Sequence, residues 1–92
     1  MESSSAKSIF YEELETATVD LIENNFDGLN KTLTKCSNRF GKEGKQDLLY
    51  TELLTFTEQI AKELTDGVGW FFLEENFDKK LQTWKKEDLL SA

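Results

Sequence analysis

The stretch of sequence that decides the fold is FGKEGKQDLLYTELLTF, residues 40–56. Two glycines bracket a lysine and a glutamate, and the chain then continues directly into leucines and a phenylalanine spaced three and four residues apart. Glycines in a short polar run are typical of a loop, and apolar residues at this spacing form one face of an α-helix. The stretch therefore predicts a loop that leads into an amphipathic helix. The loop is either a plain connection between helices or a site that holds a ligand.

The same helical spacing recurs along the rest of the chain. Phe10, Leu14, Ala17 and Leu21, for example, follow one another at intervals of four, three and four residues. No segment of useful length shows the apolar–polar alternation that is typical of a half-buried strand. The sequence therefore predicts an all-α fold, a small bundle of about four amphipathic helices. The predicted helices span 8–24, 26–40, 47–64 and 70–85.

The boundary between the first two helices is the least marked one. The turn-forming segment ENNFDG separates them, but Gly28 is the only strong helix breaker within it. One kinked helix is therefore the alternative to two separate helices. The serine-rich residues 1–7 are predicted to form a flexible N-terminal tail, and 8–92 to form a single helical domain.

Length and composition fit one small domain with one core. The apolar run at 68–73 is far shorter than the roughly 20 residues of a membrane-spanning helix, and the polar start MESSSAKS is not a secretory signal. Cys36 is the only cysteine, so no intramolecular disulfide can form, which fits a reducing compartment. We therefore expect a cytoplasmic protein without a membrane span.

The charge of the chain limits its partners. It has 18 acidic and 11 basic residues, a formal net charge of −7. Nucleic-acid binding requires Lys and Arg concentrated on one face, so we expect no nucleic-acid partner. A basic partner or cations suit this charge better. The chain also has no histidine, which removes the commonest general base at neutral pH.

Two groups of side chains invite a catalytic interpretation, and both have simpler ones. The carboxylates of the first and fourth helices alternate with lysines on polar faces, which is typical of solvated surfaces rather than of a desolvated catalytic pair. Cys36 continues the apolar stripe of Leu33 and Phe40, which predicts a buried thiol rather than a nucleophile. We therefore predict no catalytic residue and no enzymatic activity.

The fourth helix opens with four consecutive apolar residues, Trp70, Phe71, Phe72 and Leu73. A helix points four consecutive side chains around most of its circumference, and one small core cannot cover all of them. Exposed aromatic side chains on a small acidic domain indicate an interface. Trp70, Phe71, Phe72 and Phe77 are therefore the predicted partner-binding residues, in a complex with another protein or in a homodimer.

The opening stretch also resembles a known family. Residues 41–56 are similar to the first, non-standard loop and the second helix of the calgranulin and calgizzarin family of small dimeric EF-hand proteins. The resemblance implies a loop that binds calcium mostly through backbone carbonyls, with Glu52 as the one side-chain metal ligand. The matching residues are Gly41, Lys42, Glu43, Gly44, Leu48 or Leu49, Glu52, Leu53 and Phe56.

Two departures from that family imply that calcium binding is weak or lost. The first loop is about one residue shorter than the family's loop, and a second loop would carry Gln82, Trp84 and Lys86 where acidic ligands belong. The resemblance thus implies a degenerate EF-hand-like protein with no other cofactor. Such a protein acts by non-enzymatic protein–protein interaction through an apolar surface, and any bound calcium would change the angle between the second and third helices.

A second family offers an alternative. The run LLYTELLTFTEQIAKEL (48–64), with KCSNRF before it and Phe77 and Leu81 after it, is similar to the helical domain that binds ADP-ribosylation-factor-like GTPases. That resemblance implies an effector or adaptor domain for a small GTPase, with no metal. Both alternatives stay open, because packing constrains short amphipathic helices of unrelated families in the same way.

Overall fold

The computed structural model describes residues 6–91 and confirms the all-α fold. Each helix begins and ends within two residues of its predicted bounds. Residues 1–5 of the predicted tail lie outside the described part of the chain, whereas residues 6 and 7, which the sequence assigns to the tail, begin the first helix. The helices are α1 (Ala6–Ile22), α2 (Phe26–Phe40), α3 (Gln46–Thr65) and α4 (Trp70–Lys86).

Two asparagines make α1 and α2 separate helices. Asn24 has a left-handed backbone, with φ 62°, which ends α1, and asparagine tolerates this region better than most residues do. Asn25 caps α2, because its side-chain oxygen accepts a hydrogen bond from the Gly28 amide at 3.2 Å. A Cβ at Gly28 would lie 2.6 Å from the side-chain nitrogen of Asn25. Gly28 therefore leaves room for the cap, and it does not break a helix.

The apolar stripes of the four helices meet in one core. Aromatic rings fill its centre: Phe10 and Phe77 pack edge to face with 5.4 Å between their centroids, and Phe56 and Trp84 do so at 5.9 Å. Burial of apolar surface contributes about 25 cal/mol per Å², so this core is the main source of stability. The buried apolar residues are Phe10, Leu14, Ala17, Leu29, Leu33, Cys36, Leu49, Leu53, Phe56, Ile60, Leu73, Phe77, Leu81, Trp84 and Leu89.

The connection between α2 and α3 is a tight turn that is tied to the segment after α4. The Lys42 amide donates a hydrogen bond to the Leu89 carbonyl at 2.8 Å, and the Ser91 amide donates one to the Phe40 carbonyl at 2.9 Å. These two bonds form a single antiparallel bridge between the two segments. An ion pair between Lys42 and Asp88 adds to this link, and it holds the pKa of Asp88 below its usual value. The bridge fixes the C-terminal segment against the bundle.

Candidate functional site

The first turn of α4 presents three aromatic side chains to the surface. Phe71 and Phe72 are 69% and 60% exposed, and Trp70 is 37% exposed. The geometry of the helix explains this exposure, because successive residues are rotated by about 100° around the axis. Phe71 and Phe72 therefore point away from the buried face, which begins at Leu73. We call Trp70, Phe71 and Phe72 the aromatic cluster.

Phe77 lies in the core and does not belong to the aromatic cluster. It is 0% exposed, and its ring packs against the rings of Phe10, Tyr11 and Phe56. The physical reason is its register: Phe77 follows Leu73 by four residues and so continues the buried face of α4. The prediction of Phe77 as a partner-binding residue is thereby corrected, because no partner can reach a fully buried ring.

Trp70 attaches the aromatic cluster to α1. The Tyr11 hydroxyl donates a hydrogen bond to the Trp70 carbonyl at 3.4 Å. Trp70 also lines a shallow depression between the two helices. The rings of Phe71 and Phe72 contact each other at 5.7 Å between centroids. The α1 residues of the depression are Glu15, Thr16, Val19 and Asp20.

Glu15 lines the depression beside Trp70, and it also lines a neighbouring depression together with Glu12 on α1 and Glu74 on α4. Burial raises the pKa of Glu15, and the negative charges of Glu12 and Glu74 raise it further. Burial also raises the pKa of Tyr11 to about 12, and Glu15 and Glu74 add to this shift. We call Glu12, Glu15 and Glu74 the acidic rim. Lys7 lines the same depression but pairs with Asp78, so a further cationic group placed among the three carboxylates would relieve their mutual repulsion.

Glu52, the predicted calcium ligand, contacts another helix. Its carboxylate accepts a hydrogen bond from the indole N–H of Trp84 at 3.3 Å, which links α3 to α4. Within residues 6–91, no three Asp, Glu or Cys side chains come close enough together to hold a metal ion. Calcium binding through Glu52 would have to compete with the Trp84 hydrogen bond, and it stays a prediction.

Cys36 is a buried thiol, as its register with Leu33 predicts. It is 1% exposed. Burial raises the pKa of the thiol to about 12, and the negative charge of Glu13 adds to the shift. Glu13 itself forms an ion pair with Lys35 at 2.6 Å. The thiolate, which is the reactive form of cysteine, is therefore strongly disfavoured in the folded protein.

A second surface feature, a groove of about 490 Å³, is absent from the sequence predictions. It lies between the start of α1, the end of α2, the second half of α4 and the C-terminal segment. Lys7, Arg39 and Lys85 lie along its edge. No short motif joins these residues, because the groove exists only after four distant parts of the chain have packed together. Its apolar residues are Phe10, Phe40, Leu81 and Leu90.

No protein-family model, curated protein or solved structure matches this chain. The candidate sites therefore rest on the geometry of this structure alone. Among the helices of residues 6–91, none combines the length and the apolar character that crossing a lipid bilayer requires.

Proposed function

We propose that this protein is a non-enzymatic interaction module that binds a basic, apolar segment of a partner protein through the aromatic cluster. The observation that carries the proposal is the position of Trp70, Phe71 and Phe72 side by side on the surface, next to the acidic rim. Phe71 and Phe72 lie outside the hydrophobic core, and both are more than half exposed.

The aromatic cluster has the chemistry of a binding hot spot. Tryptophan and tyrosine are enriched among the residues that dominate binding energy, and aromatic side chains in general are enriched at the centres of interfaces. A ring that is already in contact with its neighbour, as Phe71 is with Phe72, loses little conformational entropy when a partner covers it. The exposed Val19 on α1 extends the apolar surface on the other side of Trp70.

The acidic rim selects the charge of the partner. Glu15 lines the same depression as Trp70, and Glu74 follows Trp70 by one helical turn. A partner with Lys or Arg beside its apolar residues would place positive charge against these carboxylates, which favours both specificity and fast association. A second copy of this chain would bring another acidic rim to the same place. We therefore propose a partner of different sequence rather than a homodimer.

A calorimetric titration with a model peptide tests this proposal. The probe is a helical peptide of leucine and lysine, and the control peptide has glutamate in place of every lysine. We expect the lysine peptide to bind at least about tenfold more tightly than the glutamate peptide, because only its charge complements the acidic rim. Equal affinity for the two peptides would contradict the charge argument.

Matched variants of the protein locate the binding surface. We expect Phe72→Ser to weaken binding of the lysine peptide by about tenfold or more, as truncation of a hot-spot residue does. Leu48→Ser is the control, because Leu48 on α3 is 57% exposed, almost as much as Phe72 at 60%. Equal losses in the two variants would show that the peptide binds any exposed apolar residue. That result would overturn the proposal.

The two family resemblances give more specific forms of the same proposal. In the EF-hand-like form, calcium would strengthen peptide binding, and Glu52→Gln would abolish that effect. In the GTPase form, an ADP-ribosylation-factor-like GTPase loaded with a non-hydrolysable GTP analogue and Mg²⁺ would bind, and this chain itself would need no metal. GTPase binding that Phe72→Ser leaves unchanged would favour a different surface and so would contradict the aromatic cluster as the interface.

A further inference from the structure

We propose that the groove at the other end of α4 binds a small anionic amphiphile, an apolar chain that carries one carboxylate. The structure brings an apolar floor, formed by Phe10 and Phe40, beside two cations, Arg39 and Lys85. The aromatic cluster lines no part of this groove, so the inference stands apart from the proposed function.

The floor of the groove is apolar and aromatic. The rings of Phe10 and Phe40 are stacked almost in parallel, with 4.5 Å between centroids and an interplanar angle of 11°. Phe10 is itself supported from below by the buried ring of Trp84, at 6.0 Å. Leu81 and Leu90 complete the apolar surface. Binding sites for small molecules typically combine such a surface with a few well-placed polar groups.

Those polar groups are cations. Lys7 forms an ion pair with Asp78, the one acidic residue among residues 6–91 that lines the groove. Neither Arg39 nor Lys85 forms an ion pair with any acidic side chain among residues 6–91. The chain as a whole carries a net charge of −7, whereas three cations and one carboxylate of the described residues line this groove, so the groove is locally positive and favours an anion.

Arg39 is suited to a carboxylate in particular. Its guanidinium lies over the ring of Phe40, 5.3 Å from the centroid, which keeps it next to the apolar floor. A guanidinium in this position can donate two parallel hydrogen bonds to the two oxygens of a carboxylate. The apolar chain of the same ligand would then extend over the half-buried side chains of Phe40 and Leu90.

The wall of the groove is formed before any ligand binds. Leu90 is held by the bridge between its segment and Gly41. The Ser91 amide, which bonds to the Phe40 carbonyl, fixes the wall to the floor. A preorganised site loses less entropy when it binds a ligand. The volume of about 490 Å³ lies in the range of about 300–1,000 Å³ that is typical of small-molecule sites, which fits a medium-length acyl chain.

A calorimetric titration with decanoate tests the inference. We expect saturable binding of one decanoate per chain. The charge-reversed control is decyltrimethylammonium, which has the same alkyl chain and should bind at least about tenfold more weakly, equivalent to about 1.4 kcal/mol. Similar affinity for the two amphiphiles would overturn the assignment of the groove to an anion.

Three variants locate the carboxylate. We expect Arg39→Gln and Lys85→Gln each to weaken decanoate binding by about five- to tenfold, since each removes one positive charge from the edge. Lys86→Gln is the matched control, because Lys86 is the exposed neighbour of Lys85 and does not line the groove. Circular dichroism checks that all three variants are folded. Unchanged affinity in both groove variants would overturn the proposal.

Nuclear magnetic resonance separates the groove from the aromatic cluster. We expect decanoate to shift the amide signals of residues that line the groove, such as Phe40, Leu81 and Ser91. Shifts confined to the first turn of α4 would mean that the acyl chain binds Phe71 and Phe72 instead, which would contradict the proposal. An acidic peptide that displaces decanoate with much higher affinity would show that the ligand class is wrong.

Discussion

Two phenylalanines on α4 should lose very different amounts of stability on the same substitution. Phe77 is fully buried, whereas Phe72 is 60% exposed. Phe77 therefore stabilises the fold, whereas Phe72 is accessible to a partner. Replacing each in turn by alanine removes the same atoms from the same helix. Any difference in stability between the two variants therefore comes from their surroundings.

The expected difference is large. Truncation of a buried phenylalanine to alanine costs about 3–5 kcal/mol, from lost burial and from the cavity that remains. Phe77 also loses ring contacts with Phe10 at 5.4 Å and with Tyr11 at 5.2 Å, and aromatic pairs contribute about 0.5–1.5 kcal/mol each beyond their burial. A surface substitution such as Phe72→Ala changes stability by only about 0.5 kcal/mol in either direction.

Urea unfolding followed by circular dichroism measures both values. A domain of this size has a total stability of about 5–14 kcal/mol, so Phe77→Ala is expected to be strongly destabilised or unfolded. The milder Phe77→Leu keeps the measurement possible in that case, with an expected loss of about 1–2 kcal/mol. In thermal unfolding, each kcal/mol corresponds to about 4–8 °C in a domain of this size. Equal losses for Phe77→Ala and Phe72→Ala would refute the placement of the two rings.

Three further predictions concern pH, backbone conformation and calcium. Because the pKa of Cys36 is about 12 in the folded protein and near 9.0 otherwise, the thiol ionises first in the unfolded chain. The contribution of the Cys36 thiol to stability is therefore full below about pH 9 and is lost progressively above it, and urea unfolding at about pH 8 and about pH 10.5 should show a smaller fall for Cys36→Ala than for the unsubstituted protein. Gly67 has a left-handed backbone, with φ 95°, which alanine tolerates poorly and asparagine tolerates better. Gly67→Ala should therefore lower the free energy of unfolding by about 1 kcal/mol and Gly67→Asn by less. Equal losses in the two variants would contradict this prediction. If calcium binds through Glu52, the heat of binding should come with a change in the fluorescence emission of Trp84, which donates a hydrogen bond to Glu52. Trp84 is the only emitting tryptophan in a Trp70→Phe background, and Glu52→Gln should remove both the heat and the emission change. Heat that persists in the Glu52→Gln variant would exclude Glu52 as the ligand.

The helices could be predicted because one local rule controls them. Wherever apolar residues recur at three and four residues, as at Leu49, Leu53 and Phe56, the chain gains stability by burying that face. The same rule explains why the helix bounds were predictable to within two residues. It also places Phe77 on the buried face with Leu73, so the assignment of Phe77 to an interface conflicts with information already present in the sequence.

The surfaces between helices could not be predicted in the same way. The groove joins Phe10, Phe40 and Leu90, which are separated by 30 and 50 positions in the sequence. Their proximity depends on how α1, α2 and α4 pack, and many packings satisfy the same apolar stripes. The acidic rim likewise requires α1 and α4 to be neighbours. Exposure of Phe71 and Phe72 was predictable, because it follows from helix geometry alone.

The most direct test of the proposed function is chemical-shift mapping of the labelled protein with the leucine–lysine peptide. We expect the largest amide shifts at Phe71 and Phe72 and at the facing residues Glu15 and Val19 of α1. We also expect these shifts to decrease with added salt, because the acidic rim contributes through charge. Shifts centred elsewhere, or a response to the glutamate peptide of the same size, would contradict the assignment of the aromatic cluster as the interface.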